Sequence, residues 1–394
     1  MSKRNQRRSV TSGLACSALA LALAAPAAVA QETTYEVETV AEGLEHPWGM
    51  AFLPAEGQML VTERAGRLQR VDVDSGEMQE IGGLPEIAAV GQGGLLDVAL
   101  HPDFEETRWV YLTYSARNDE GQTSTYFGRG QLEEGADELT EWEELYVVEP
   151  HMDDGQGHYG SRIAFDGEGH VFVSTGDRQM KDFGPDHISQ DLSSANGAVL
   201  RFELDGAIPE DNPFVGEADA EDAIWAYGLR NVQGMAIHPE TGELWVADHG
   251  ENNGDEINII ERGANHGWPI ATYGHHYRTG EPFAPTPPEV AETVDPVYWW
   301  DFDHPEGFPP SGFLFYTGEA FPDWQGDFFV GTLAHEYLGR FSVDGRDVEM
   351  EERLLEGEGW RIRAVAQGPE DGLLYVLVDA SDAPIVRLSP AEGS

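Results

Sequence analysis

The chain has 394 residues, 72 of them acidic against 23 basic, for a net charge of −49, and carries a single cysteine. A field of that sign repels nucleic acid and anionic membrane surfaces. The acids are spread among plentiful apolar residues, as on a solvated, salt-adapted surface rather than in a disordered tail.

The chain opens MSKRNQRRSVTSGLACSALALALAAPAAVAQE: a basic run, an apolar stretch, then Ala28-Val29-Ala30 before the polar Gln31. That order is a secretory signal peptide over residues 1–30, too short and alanine-rich in its apolar part for a membrane anchor. The mature protein is expected to begin near Gln31 and to work in the periplasm or outside the cell, with no membrane insertion. Cys16 leaves with the leader, which excludes a disulfide scaffold, thiolate metal sites and a cysteine nucleophile.

Beyond the leader one local theme recurs. WGMAFLPAEGQMLVTERAGRLQRV (48–71), LDVALHPDFEETRWVYLTYSA (96–116) and SRIAFDGEGHVFVSTGDR (161–178) each read as strand, turn, strand. The same holds for QGMAIHPETGELWVADHG (233–250), the segment 311–343 and the segment 362–390. Each has an apolar run, a Pro, Gly or Asp turn, and a second run rich in Val, Tyr, Phe or Trp. Six such hairpins without long helical periodicity predict an all-β, six-bladed β-propeller over residues 31–394, with long loops on one face. The proline-rich stretch 271–310 is expected to be an irregular excursion over that face. Function is then to be sought at strand ends scattered along the sequence.

His158 and Asp177 stand nineteen positions apart at the two ends of the third hairpin, so they are expected to meet at one rim. A histidine there is a natural general base near neutral pH, and a carboxylate on its other nitrogen fixes the tautomer and stabilises the imidazolium. Such a pair also serves purely structural roles. Arg230-Asn231 precedes the fourth hairpin and offers a charged and a neutral donor to an oxygen that gains negative charge. Arg361 and Arg363, at alternate strand positions, point to one side and can fork onto carboxylates. The loop DHGENNGDE (248–256) is acidic but lacks EF-hand spacing, and by itself reads as a solvated turn. Trp299, Trp300, Tyr316 and Trp324 are large enough to stack on a ring, although Trp324, in FPDWQGDFFVG, suits packing between blades.

Taken together, VGQGGLLD (90–97), GHYGSR (157–162), STGDR (174–178), YGLRNVQG (227–234), ADHGENNGDEIN (247–258), GANHGWP (263–269) and WRIR (360–363) resemble, in order, the soluble quinoprotein glucose and aldose sugar dehydrogenases. The resemblance runs from about Glu42 to Leu388. It implies a six-bladed propeller that binds pyrroloquinoline quinone (PQQ) and calcium and oxidises aldose sugars to lactones, passing electrons to an external acceptor. It also implies that His158 takes the proton of the anomeric hydroxyl, oriented by Asp177, and that Arg230 and Asn231 face the quinone carbonyl and the substrate. Gln92, His158, His249, Arg361 and Arg363 fall at cofactor-binding positions. Gly250 and Glu251 fall at the main-chain carbonyls that hold calcium, and Asp255 falls near the substrate. The chain departs from the glucose-oxidising members at Ala334, where they carry a lysine on a PQQ carboxylate, at His249, where they carry glutamine, and at Glu251, often proline. A calcium-dependent propeller lactonase and a noncatalytic sugar-binding propeller are the alternative readings.

Overall fold

In a computed structural model, which describes residues 34–54, 57–153, 157–300 and 308–391, the chain winds into six four-stranded antiparallel sheets. The signal peptide expected over residues 1–30 lies outside the described residues. The inner strands are Pro47–Phe52, Leu95–Leu100, Ile163–Phe165, Val232–Ile237, Pro310–Phe315 and Ile362–Gln367. They open blades 1 to 6 in chain order and touch one another in a closed ring around the axis. The six hairpins expected from the sequence are the inner strand pairs of these blades. The only α-helix among the described residues is the single turn Phe104–Thr107. No helix among them is long and apolar enough to cross a membrane.

The ring is closed by the N-terminal strand Tyr35–Leu44, which pairs antiparallel with Ala383–Pro390 as the outermost strand of blade 6. Apolar residues are packed between blades rather than at a single centre. One buried cluster joins Leu60 and Leu68 of blade 1 to Val110 and Leu112 of blade 2. Equivalent clusters fill the other blade interfaces, the last joining Val61 and Val71 of blade 1 to Leu377 and Ile385 of blade 6. Ala41 and Leu44 of the closing strand belong to that last cluster. Deleting residues 35–44 would expose both the cluster and a long edge strand, so the truncated chain is expected to aggregate. Size-exclusion chromatography checks this, and a soluble, cooperatively unfolding truncated chain would show that closure is dispensable.

Five inner strands carry a register shift near their first residues, at Pro47/Met50, Leu95/Val98, Val232/Gly234, Ser311/Leu314 and Ile362/Ala364. A bulge re-aims a side chain out of strict alternation. Three bulged residues, Asp97, Gln233 and Arg363, are thereby drawn into one bonded group at the axis. Arg162 of blade 3 completes it, donating to Asp97 Oδ1 at 3.0 Å, to the Gln233 carbonyl at 2.7 Å and to the Arg363 carbonyl at 3.0 Å. Its guanidinium lies 4.0 Å from the centre of the Trp48 ring. This plug, with Asp97 and Arg162 in its wall, lies between a channel of about 370 Å³ that Met50, Val98, Ile163, Met235, Phe313 and Val365 also line and two further chambers.

Candidate active site

The hairpin of blade 3 brings His158 and Asp177 together, with His158 Nδ1 2.6 Å from Asp177 Oδ1. Both side chains are buried. The turn is built for close approach: a Cβ on Gly176 would lie 2.1 Å from the His158 carbonyl oxygen. His158 is itself held at φ 50°, in the left-handed region, a strain that clusters at functional sites. Its backbone N–H donates to Gln92 Oε1 at 2.9 Å. Asp177 Oδ1 also accepts from the Gln179 backbone at 2.9 Å, and Oδ2 accepts from the Trp268 indole at 2.9 Å.

Burial disfavours charge on both partners, with opposite outcomes. For Asp177 the burial penalty is outweighed by His158, its hydrogen bond, Arg230 and His187, and the carboxyl is held at about 2. For His158 burial acts first and Arg230 second, and together they outweigh Asp177, so the imidazole lies below its ordinary 6.5. The pair is thus a neutral imidazole on an ionised carboxylate. With Nδ1–H donating to Asp177, Nε2 is left to accept a proton.

Arg230 and Asn231 lie at the start of the blade 4 inner strand, and the Asp248 carboxylate fixes both by accepting their backbone N–H groups at 2.9 and 2.6 Å. Burial pushes the Asp248 carboxyl up to about 7 against those two bonds. Asn231 Oδ1 accepts from the Gly160 backbone at 3.1 Å, tying this strand to the His158 turn. The Arg230 guanidinium donates to Glu251 Oε2 at 2.6 Å, and Lys181 Nζ donates to the same oxygen at 3.0 Å. The Glu251 side chain is therefore occupied by two cations, which leaves its backbone carbonyl as the oxygen open to a further ligand.

The loop 248–256 folds back tightly: a Cβ on Gly250 would lie 2.1 Å from the Asn253 carbonyl oxygen. Gly250 N–H donates to Asp255 Oδ1 at 3.0 Å, so Asp255 braces this loop while also lining the chamber. Burial lifts the Asp255 carboxyl to about 6. His249 Nε2 donates to the Pro310 carbonyl at 2.7 Å, and burial lowers its imidazole to about 3, so this histidine is neutral.

Arg361 and Arg363 converge on one carboxylate, Asp379. Arg363 donates to Asp379 Oδ2 at 2.7 Å and to Gln233 Oε1 at 2.8 Å. Arg361 donates to the same Asp379 oxygen at 3.4 Å and to the Leu333 carbonyl at 2.6 Å. Arg361 stands just before the strand, which begins at Ile362, yet both guanidinium groups face one chamber. His46 Nδ1 lies 2.7 Å from the other Asp379 oxygen, and the carboxyl is held far below the usual range because those partners overcome its burial.

One chamber, of about 280 Å³, is lined by Arg64, Gln92, Asn231, His249, Arg361 and Arg363 among others. The next, of about 420 Å³, is lined by His158, Arg230, Gly250, Glu251, Asp255 and Tyr277 among others. Gln92 and His249 belong to both, so the two chambers adjoin. Every candidate site residue except Asp177 lines one or the other, and Asp177 is bonded to His158. Ala334 also lines the second chamber, whose lining includes Lys181 with its ammonium bonded to Glu251.

Three of the four aromatics depart from expectation, and Trp324 packs between blades as expected. Trp300 is buried and stacked on Phe308 at 4.1 Å, and Tyr316 is buried with its hydroxyl donating to the Gly372 carbonyl, so both are packing residues. Trp299 stacks on Tyr273 at 4.4 Å outside both chambers. Trp324 packs on Phe321 and Phe329 in the cluster between blades 5 and 6. Asp379, Arg64, Lys181, His187 and Tyr277 had no motif to single them out, while Asp248 lay within ADHGENNGDEIN and Trp268 within GANHGWP without assigned roles.

The fold and chambers define a class: a six-bladed propeller whose axial cavity sets a buried histidine–aspartate pair beside a cluster of arginines. Residues 44–387 match the family described as Glucose / Sorbosone dehydrogenase, and the chain belongs to that family. It is 40% identical over 362 residues to the aldose sugar dehydrogenase YliI of Escherichia coli (strain K12), covering 92% of this chain and 94% of that one. The apo crystal structure of the soluble aldose sugar dehydrogenase from Escherichia coli superposes with a TM-score of 0.83 at 38% identity, covering 91% of this chain and all of that one. The PQQ-bound aldose sugar dehydrogenase from Streptomyces coelicolor does so with a TM-score of 0.73 at 29% identity, covering 91% of this chain and 99% of that one.

Proposed function

We propose that the protein is a PQQ- and calcium-dependent aldose dehydrogenase, exported to the periplasm or beyond, that oxidises sugars at the anomeric carbon to lactones. The observation that carries this reading is the neutral His158, its Nδ1 on Asp177, lining a chamber that adjoins a cationic one. Bound PQQ would supply the two-electron acceptor for the sugar's hydride, with an external acceptor restoring it.

The residues present fit such a cofactor. In a chain this acidic, Arg64, Arg361 and Arg363 gather in one chamber with Asp379 as the carboxylate in its lining, and Arg363 Nε is buried without a partner. That excess of donors suits a ligand with several carboxylates. For calcium, the Gly250 and Glu251 carbonyls and oxygens of the cofactor are the available hard donors. The lactonase alternative needs several side-chain carboxylates or asparagines converging on the ion, and has no use for the Arg361 and Arg363 pair.

Each residue then has a task. His158 Nε2 accepts the proton of the anomeric hydroxyl, and Asp177 holds the imidazole and stabilises the charge it acquires. Arg230 and Asn231 stand where negative charge develops, held in advance by Asp248. Asp255, between the bracing loop and the chamber, is placed to accept a hydrogen bond from a sugar hydroxyl.

Addition of PQQ and calcium to purified protein, followed by dye reduction with a panel of aldoses, tests the reading; no turnover with any sugar would sink it. The arginines give a separate check by calorimetry. Arg363→Ala is expected to weaken PQQ binding about 10- to 100-fold, as for a buried charged hydrogen bond. Arg361→Ala should cost less, since its side chain is 45% exposed and solvent screens it. Equal affinities in both variants and parent would remove these residues from the cofactor site.

A further inference from the structure

Trp268 touches both halves of the machinery described above. Its indole N–H donates to Asp177 Oδ2 at 2.9 Å, the oxygen not bonded to His158. Its ring lies 5.1 Å from the Arg230 guanidinium carbon, measured to the ring centre. The side chain is buried and clamped edge-on by Phe183 at 5.5 Å and Phe283 at 5.8 Å. Main-chain bonds hold it as well: its N–H donates to the Gly228 carbonyl at 2.8 Å, and its carbonyl accepts from Gln190 Nε2 at 2.7 Å. A tryptophan used only for packing has no need to spend its single donor on the carboxylate that orients the base.

We propose that Trp268 is a positioning residue for the oxidation, rigidly fixing the Asp177 carboxylate behind His158 while its ring face supports Arg230. The inference rests on the functional reading above and adds a residue to it. The indole N–H spreads charge away from the Asp177 oxygen facing His158 and prevents rotation of the carboxylate. Removing that donor concentrates negative charge on Asp177, which favours the imidazolium. His158 should then titrate at higher pH, and less of it be available as a neutral base. The other titratable groups facing the pair are Arg178, Arg230, Lys181, His187, His249 and Asp248, all retained in the variant.

Trp268→Phe keeps the aromatic packing and removes the donor. In the full chain without cofactor, labelled-histidine NMR is expected to show an upward shift of the His158 titration midpoint. With PQQ, calcium and sugar, kcat is expected to fall about 10- to 100-fold, as when other orienting partners are removed, with KM for the sugar little changed. A folded variant with the parent His158 midpoint would overturn the proposal, since a packing role alone would not move it. Should Trp268→Phe fail to fold, Asp177→Ala in the same cofactor-free protein reads the bond from the other side. The Trp268 Nε1 proton resonance is expected to move upfield on loss of its acceptor, and an unmoved resonance would equally overturn it. Neither NMR readout involves PQQ or sugar, so failure of the dehydrogenase reading and failure of this one are distinguishable.

Discussion

His158→Gln is expected to lower kcat for aldose oxidation by about 10²–10⁴-fold, the span associated with loss of a positioned general base. Glutamine keeps a polar side chain of similar reach but cannot take a proton near neutral pH. Calorimetry should find PQQ affinity changed far less than turnover, because the carboxylate-binding groups, Arg361 and Arg363, sit in the adjoining chamber. The parent's pH profile carries the same signature. Burial and Arg230 hold the His158 imidazole below 6.5, so the neutral base persists beneath that pH. Activity should then fall only as pH drops through the lowered value. Asp177, at about 2, stays ionised across the whole range and contributes no limb of its own. A variant that oxidises sugars at the parent rate, with the same acid limb, would mean that another group accepts the proton.

The fold was legible because a propeller repeats its signal: each blade announces its inner pair through an apolar run, a turn and a β-branched or aromatic run. The outer strands were harder to see. Met78–Ile81 and Thr140–Val147 are largely exposed and polar, so they carry little hydrophobic pattern. The closing partnership of Tyr35–Leu44 with Ala383–Pro390 spans nearly the whole chain, and no local feature marks it. At the site, His158 and Asp177 were found because one hairpin sets their separation. Asp379 was not, since its relation to Arg361 and Arg363 depends on how blade 6 returns through its second strand. Trp299, Trp300 and Tyr316 were misjudged as possible stacking surfaces for the opposite reason: aromatic residues announce themselves in sequence, but only packing decides whether a ring face is free. Bulges were invisible too. Strict alternation would not bring Asp97, Gln233 and Arg363 to the axis, and the register shifts beside them do.

Those bulges lead to the largest stability effect expected here. Asp97 Oδ1 accepts from Arg162, Oδ2 accepts from the Ile163 backbone at 3.0 Å, and both side chains of the pair are less than a tenth exposed. Burial drives the Asp97 carboxyl upward and the Arg162 guanidinium downward, each against the pull of the other. Asp97→Ala leaves Arg162 with two carbonyls and the Trp48 face but no counter-charge, in a place water reaches poorly. Breaking a buried pair in this way costs about 3–5 kcal/mol, and urea unfolding is expected to show a loss of that size. Asp97→Asn retains an acceptor for the Ile163 N–H and should lose less. Removing both charges, with Asp97→Ala and Arg162→Met together, should cost less than the two single changes added, because neither partner is then stranded. Strict additivity would show that the two groups do not depend on each other. The consequence reaches the cofactor chamber, since Arg162 donates to the Arg363 carbonyl. A plug that loosens in Asp97→Ala should therefore weaken PQQ binding as well, although Asp97 lies outside that chamber's lining.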